Sequence, residues 1–222
     1  MRTKPVVAID GPAGSGKSTI AKQLAKRLGF IHIDTGAIYR GVAWLAMQKN
    51  IDLHVEKAVA ATAAQAKFEF RATNDGNHFF VDGKDVSGEI RTEEVSAAAS
   101  KVSAYPSVRA LLLGLQRGLG INGAAVLEGR DIGTVVFPDA EVKIFLTASV
   151  EERARRRHEE LQAKGAVLSL EEVKHQVVQR DEQDSNRPVA PLKKAADAIL
   201  LDTTGLAITS VLDQLESLVR DA

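Results

Sequence analysis

The residues best suited to chemistry stand near the start of the chain, where Gly11-Pro12-Ala13-Gly14-Ser15-Gly16-Lys17-Ser18 follows the pattern G-x-x-x-x-G-K-[ST]. Each residue type answers a need of phosphate binding. The glycines let backbone amides turn inward around an anion, and a helix N-terminus directly after them adds partial positive charge. Lys17 is spaced to reach the β and γ phosphates of a nucleotide, and the hydroxyl of Ser18 can ligate magnesium. With glycine at about 7% of residues, a chance match in a chain this long is on the order of one in a hundred. The segment also lies between an expected strand and an expected helix, as the chemistry requires, so it predicts binding of a nucleoside triphosphate.

The loop alone does not name an activity, because GTPases, motor-type ATPases and small-molecule kinases share it. The chain has no Asn-Lys-x-Asp signature for guanine, and no long apolar run that closes on a conventional second acidic motif of the ATPases. A kinase for a phosphorylated acceptor needs anion clamps for both donor and acceptor, whose phosphates repel one another. Arginines fall where such clamps belong: Arg40, Arg109, Arg130, Arg153, Arg155, Arg156, Arg157, Arg180 and Arg187 lie close after strands or within helices expected to cover the site. Arg180, Asp184 and Arg187 share one helix face at i, i+4 and i+7, which fits a phosphate clamp and fits an exposed salt-bridged helix equally well. Glu151/Arg155, Glu152/Arg156 and Arg155/Glu159 are i, i+4 pairs, so the stretch Arg153 to Arg157 reads either as a stabilised surface helix or as a phosphate lid. In Glu128-Gly-Arg130-Asp131, Arg130 can hold phosphate and Asp131 can accept from an exocyclic amine, as a carboxylate does with cytosine. A loop salt bridge is the plainer account of the same two residues.

These residues need a scaffold, and the hydrophobic pattern supplies an α/β one. Short apolar runs at Val6–Ile9, Phe30–Ile33, Ala125–Leu127, Lys143–Leu146 and Ile199–Leu201 alternate with stretches of helical period, which predicts five parallel strands wrapped by helices. Ile20, Leu24 and Leu28 make one face of a helix over Lys17–Leu28, capped by Gly29. A helical stretch over Ala37–Met47 carries Arg40. Val108, Leu111, Leu112, Leu115 and Leu119 form a stripe on a helix opened by Pro106, and Ile208, Val211, Leu212, Leu215 and Val219 form another. Ser149-Val-Glu-Glu152 and Ser169-Leu-Glu-Glu172 both match a capping box, so helices begin near 150 and 170, and Pro188 places Arg187 at a helix end. The rhythm breaks at Lys67–Arg71, Asn74-Asp75-Gly76-Asn77 and His78–Val81, which read as antiparallel hairpins inside an insert of roughly 40 residues, about 60–100.

Composition sets the outer limits. A chain of 222 residues with 45% hydrophobic content suits one compact domain, 1–222, with a small insert. Its 29 basic and 29 acidic residues cancel, which removes a global field for nucleic acid or an anionic membrane. There are no cysteines, hence no disulfides or thiolate metal sites. The apolar stretch after Met1–Pro5 is too short for a signal peptide and nothing approaches a membrane span, so a soluble cytoplasmic protein is expected.

Taken together, Ile9 through Thr19, Asp34-Thr-Gly-Ala-Ile-Tyr-Arg40, Asp85-Val-Ser-Gly-Glu-Ile-Arg91, Glu128 through Thr134 and Arg180 through Arg187 closely resemble the bacterial cytidylate (CMP) kinases of the nucleoside monophosphate kinase group, end to end. Two positions depart from the common pattern: Thr35 stands where serine is usual and keeps the hydroxyl, and Glu128 stands where aspartate also occurs. The resemblance implies a P-loop kinase fold with a helical lid at 153–170 and an acceptor-binding region at 36–105 that includes the insert. It implies transfer of the γ-phosphoryl group of ATP to CMP or dCMP with magnesium; a monomer is expected. Gly11 through Thr19 would hold ATP, with Ser18 on the metal and Lys17, Arg153 and Arg157 at the transferring group. Thr35, Arg40, Ser100, Arg109, Arg130, Asp131, Arg180, Asp184 and Arg187 would contact CMP: Ser100, Arg109 and Asp131 at the base, Arg180 and Asp184 towards the sugar, and Arg40, Arg130 and Arg187 at the phosphate. Phosphoryl transfer of this kind needs alignment, metal and arginine charge but no protein nucleophile or obligatory base. A kinase for another monophosphate or a small metabolite such as shikimate, and a non-catalytic nucleotide-switched binding protein, are the alternatives.

Overall fold

Val6, Val7, Ala8 and Ile9 are all 0% exposed, as befits the middle of a parallel sheet covered on both faces. The computed structural model describes residues 2–73, 76–163 and 165–221. Among these the elements run β1 (Val6–Asp10), α1 (Lys17–Leu28), β2 (Ile31–Asp34), α2 (Thr35–Gln48), α3 (Glu56–Ala64), β3 (Phe68–Thr73), β4 (Gly76–Val81), β5 (Lys84–Asp85), α4 (Glu93–Val102), α5 (Pro106–Gly120), β6 (Ala125–Gly129), β7 (Val142–Thr147), α6 (Val150–Ala163), α7 (Leu170–Asn186), β8 (Ile199–Asp202) and α8 (Ile208–Arg220). A short π-helical stretch, Ile132–Val136, follows β6. No helix among the described residues is long and apolar enough to cross a membrane.

The strands of the larger sheet stand in the order β2-β6-β1-β7-β8, and β3-β4-β5 make a separate antiparallel sheet. The α/β class, the five parallel strands and the antiparallel insert all match the expectation from sequence. Register then decides which side chains meet: β1 pairs with β6 so that Ile9 lies opposite Glu128 and Asp10 opposite Gly129, and β1 also pairs with β7, Asp10 opposite Phe145. The expected turn at Asn74-Asp75 falls outside the described residues, but Thr73 and Gly76 on its two sides are paired. Lys164, inside the expected lid, also lies outside them.

Two compact units emerge, one comprising the chain up to His32 together with everything from Gly120 onward, the other Ile33–Leu119. The first unit's core joins Val7 and Ile9 of β1, Ile144 and Leu146 of β7, Ile20 and Leu24 of α1, and Leu212 and Leu215 of α8. The second unit's core joins Ile38, Val42 and Trp44 of α2 to Val59, Phe68, Phe79, Val95 and Leu112. The helical stripes read from sequence hold except at their edges. Ile208 is exposed because it opens α8, ahead of the first full turn, and Leu111 is exposed beside the buried Val108 and Leu112. Ser169 builds a complete capping box with Glu172, whereas at Ser149 only half forms: Glu152 N donates to Ser149 Oγ, but the Glu152 carboxylate turns to Arg155 and Arg156.

Candidate phosphate and nucleotide site

The donor loop leaves β1 at Asp10 and enters α1 at Lys17. Gly11 has no room for a side chain, since a Cβ there would lie 2.0 Å from Leu146 O, and Gly14, at φ +74°, would place one 2.8 Å from Arg153 O. Close approach of backbone to backbone is therefore what these two glycines provide. Gly16 caps α1 without a side chain, so the first amides of the helix point at the loop's concavity. Lys17 is buried and its Nζ donates to Pro12 O at 2.6 Å and Ser15 Oγ at 3.3 Å. Burial first, then the neighbouring Arg130, push its amine down to about 7, against Glu128, Asp184 and Asp10, which raise it. Ser18 and Thr19 lie on the exposed side of the first turn.

Ser18 Oγ donates to Glu128 Oε2 at 2.6 Å, and the other carboxylate oxygen, Oε1, lies 2.9 Å from His32 Nε2. Glu128 thus brings a carboxylate onto the loop serine, a contact that the sequence alone does not announce. The signal was present as a single acidic residue closing the apolar strand Ala125-Val-Leu-Glu128, but its partner lies 110 positions away.

Just beyond β6, arginines and carboxylates interleave. Asp184 Oδ2 accepts from Arg130 Nε at 2.8 Å and from Arg180 Nε at 3.4 Å, with Arg187 Nη1 at 3.9 Å from Oδ1. Arg187 also donates through Nη2 to Asp131 Oδ1 at 3.2 Å and through Nε to Ala190 O. Burial raises the Asp184 carboxyl, yet the three arginines more than offset it and hold it below the usual carboxylate range. Asp184 is 2% and Arg187 7% exposed, which rules out the reading of this set as a solvent-facing salt-bridged helix. Arg187 ends α7 with extended backbone, as Pro188 requires.

The arginines of α6 divide. Arg153 is buried, donating to Ala148 O and to Ala13 O of the loop at 3.0 Å each, and pairing with Asp181 at 2.6 Å. Arg155 is held by Glu152 and Glu159, and Arg157 pairs with Glu160 at 2.8 Å. Arg156, which sequence reading left among the surface pairs, reaches Thr203 Oγ1 at 3.0 Å and Thr203 O at 2.9 Å beside the loop carbonyl of Ser15. Glu151, expected to pair with Arg155, pairs with Lys174 instead.

The unit Ile33–Leu119 holds the remaining residues expected at the site, in two sets. Asp34 caps α2 by accepting from Ala37 N at 3.1 Å, and its other oxygen holds Arg40 Nη2 at 2.6 Å. Arg40 Nε is buried with no hydrogen-bond partner, and Thr35 is buried at the first position of the helix. Arg109 lies over the Tyr39 ring at 5.3 Å and donates to Ser103 O, whose own hydroxyl donates to Ser100 O.

A phosphate loop between the central strand and its helix, with a carboxylate from the adjacent parallel strand on the loop serine, is the construction shared by P-loop proteins, and here it sits in a P-loop kinase fold. Within that class the chain belongs to the cytidylate kinase family, whose profile matches residues 7–221. It is 53% identical over 216 residues to the cytidylate kinase of Geobacter sulfurreducens, covering 97% of this chain and 93% of that one. With the cytidylate kinase of Geobacillus sp. strain WCH70 it shares 49% over 221 residues, 100% and 99% of the two chains. Among solved structures, a gluconokinase from Sinorhizobium meliloti 1021 aligns with a TM-score of 0.50 at 14% identity, covering 100% of this chain and 94% of that one, a likeness of fold alone.

Proposed function

We propose that this protein transfers the γ-phosphoryl group of ATP to CMP or dCMP, giving ADP and CDP or dCDP. The observation that carries the proposal is the set around the buried Asp184, in which Arg130, Arg180 and Arg187 converge on one carboxylate and Arg187 extends to the buried Asp131. Three guanidinium groups against two carboxylates, Asp184 and Asp131, leave positive charge for an acceptor phosphate, and the buried Asp131 suits an exocyclic amine. Arg130, Asp131, Arg180, Asp184 and Arg187 are assigned to CMP, as are Thr35, Arg40, Ser100 and Arg109 in the region 36–105. Membership of the cytidylate kinase family supports the same acceptor.

Gly11 through Thr19 are assigned to ATP. Lys17 lies on the β and γ phosphates, where their charge stabilises its ammonium form. Arg157 belongs to the lid, 153–170, and meets the transferring group when the lid closes and excludes water. Arg153 holds the loop at Ala13 and Asp181 of α7 together and so supports that group from behind. The hard oxygens of Ser18 and the buried Glu128 suit magnesium. Magnesium bound there would neutralise charge on the β and γ phosphates. The working form is a cytoplasmic monomer.

The test is a coupled assay of ADP production with CMP, dCMP, UMP, AMP and GMP as acceptors. CMP or dCMP should be turned over far better than the others. Activity with AMP or UMP and none with CMP would sink the proposal.

A further inference from the structure

Asp10 is buried, both its oxygens are engaged, and the chemistry described so far does not use it. Oδ1 accepts from Ile132 N and Oδ2 from Gly133 N, each at 2.7 Å, across 122 and 123 positions of sequence. These amides open the π-helical stretch Ile132–Val136, whose backbone turns back on Asp131 O through Val135 N and Val136 N. In a helix the cap residue's own side chain normally accepts from the amide of the second or third position, here Gly133 or Thr134. Here the cap residue is Asp131, and its side chain makes no cap hydrogen bond but goes to Arg187. The carboxylate that does the capping comes from another strand.

The placement is tight on every side. Asp10 immediately precedes Gly11 of the donor loop, and Ile132 immediately follows Arg130-Asp131. Register sets Asp10 beside Gly129, so the capping carboxylate cannot drift along the strand. Gly133 has little room to spare: a Cβ there would lie 3.3 Å from Lys143 Cδ and 3.4 Å from Asp10 Oδ2. Burial drives the Asp10 carboxyl up to about 6, against the two amides that lower it, so the fold keeps an expensive group in a place where an apolar residue would pack at less cost.

We infer that Asp10 is a positioning residue for the phosphoryl transfer: by capping Ile132 and Gly133 in place of Asp131, it keeps the Asp131 carboxylate turned to the acceptor and fixes Arg130-Asp131 against the donor loop. The inference rests on the assignment of Arg130 and Asp131 to CMP. Without Asp10, Asp131 stands at the cap position of that stretch, and turning to cap Gly133 N would take its carboxylate off the base.

Asp10→Asn is nearly isosteric but presents an amide donor to one of the two N–H groups, so one anchor is lost. The KM for CMP should rise by about tenfold or more, the loss of one charge-assisted bond, while the KM for ATP moves by less than about threefold. Preference for CMP over UMP should fall, as it should in Asp131→Ala, which removes the carboxylate assigned to the base. In the double variant, Asp10→Asn should add little further loss of that preference, because both changes remove one device. Thermal unfolding and circular dichroism verify folding, and should Asp10→Asn not fold, Gly133→Ala disturbs the same seat from the opposite side and is expected to raise the KM for CMP likewise. An unchanged KM for CMP in a folded variant, or fully additive losses in the double variant, overturns the inference. Failure of the wild-type protein to phosphorylate CMP would instead bring down the acceptor assignment, and the inference with it.

Discussion

At the scale of single residues, Lys17 is the costliest side chain in the donor loop. Its amine is buried and pushed down to about 7, so across the window from about 7 to 10.5 the unfolded chain binds more protons than the folded one. The contribution of this group to stability therefore rises with pH through that window, and below about 7 a charge is held in the core at a cost. Lys17→Met should raise the melting temperature of the nucleotide-free protein at pH 6–7, with the gain shrinking towards zero above about pH 10.5, while phosphoryl transfer falls by three orders of magnitude or more. Thermal unfolding across pH checks the first half; a melting temperature lowered at pH 6 would contradict it. The loop residues were readable from sequence because eight consecutive positions carry their own chemistry. The partners of Glu128, His32 and Asp10 were not, because they are distant in sequence (Ser18 and His32 for Glu128, Ile132 and Gly133 for Asp10) and are brought together by strand register, with Ile9 opposite Glu128 and Asp10 opposite Gly129, which no local pattern encodes.

The same contrast appears among the elements. Helix α7 was announced by Ser169 and Glu172, and the complete capping box is there. Helix α6 was announced by the same pattern, but Arg155 and Arg156 outcompete the cap for Glu152, since an ion pair one turn away is available to it. The helices α3 and α4 were missed. In α3 only Val59 and Ala63 are buried, too few for a stripe, whereas α4 did carry a signal in Thr92, whose side chain accepts from Val95 N. The small core of Leu161, Val173 and Val177 joins α6 to α7, so a weakened cap on α7 acts first on this helical pair. Ser169→Ala should cost about 1 kcal/mol, lower the melting temperature by about 2–4 °C, and speed hydrogen exchange at the amides of residues 170–173 more than in β1 or β7. Uniform acceleration across the sheet would show instead that the cap is coupled to global unfolding.

For the whole molecule, the alternation of short apolar runs with helical stretches was enough to foresee five parallel strands, because a sheet buried on both faces needs continuous apolar segments. The order β2-β6-β1-β7-β8 was not foreseeable, since it depends on which helices cover which face. That order leaves β8 at an edge, with Leu200 59% exposed and Ile199 and Ile208 also open to solvent. An open edge with apolar side chains invites association unless charge opposes it. At pH 7 the chain's 29 basic and 29 acidic residues leave it no net charge, so long-range repulsion is weakest there. Solubility should therefore pass through a minimum near pH 7 and rise by pH 9, where the net charge becomes negative. Precipitation by polyethylene glycol at pH 6, 7, 8 and 9 measures this directly. Leu200→Lys places a charge on the exposed edge and should lift the minimum without changing CMP turnover; if it does not, the association runs through another surface and the β8 edge is already protected.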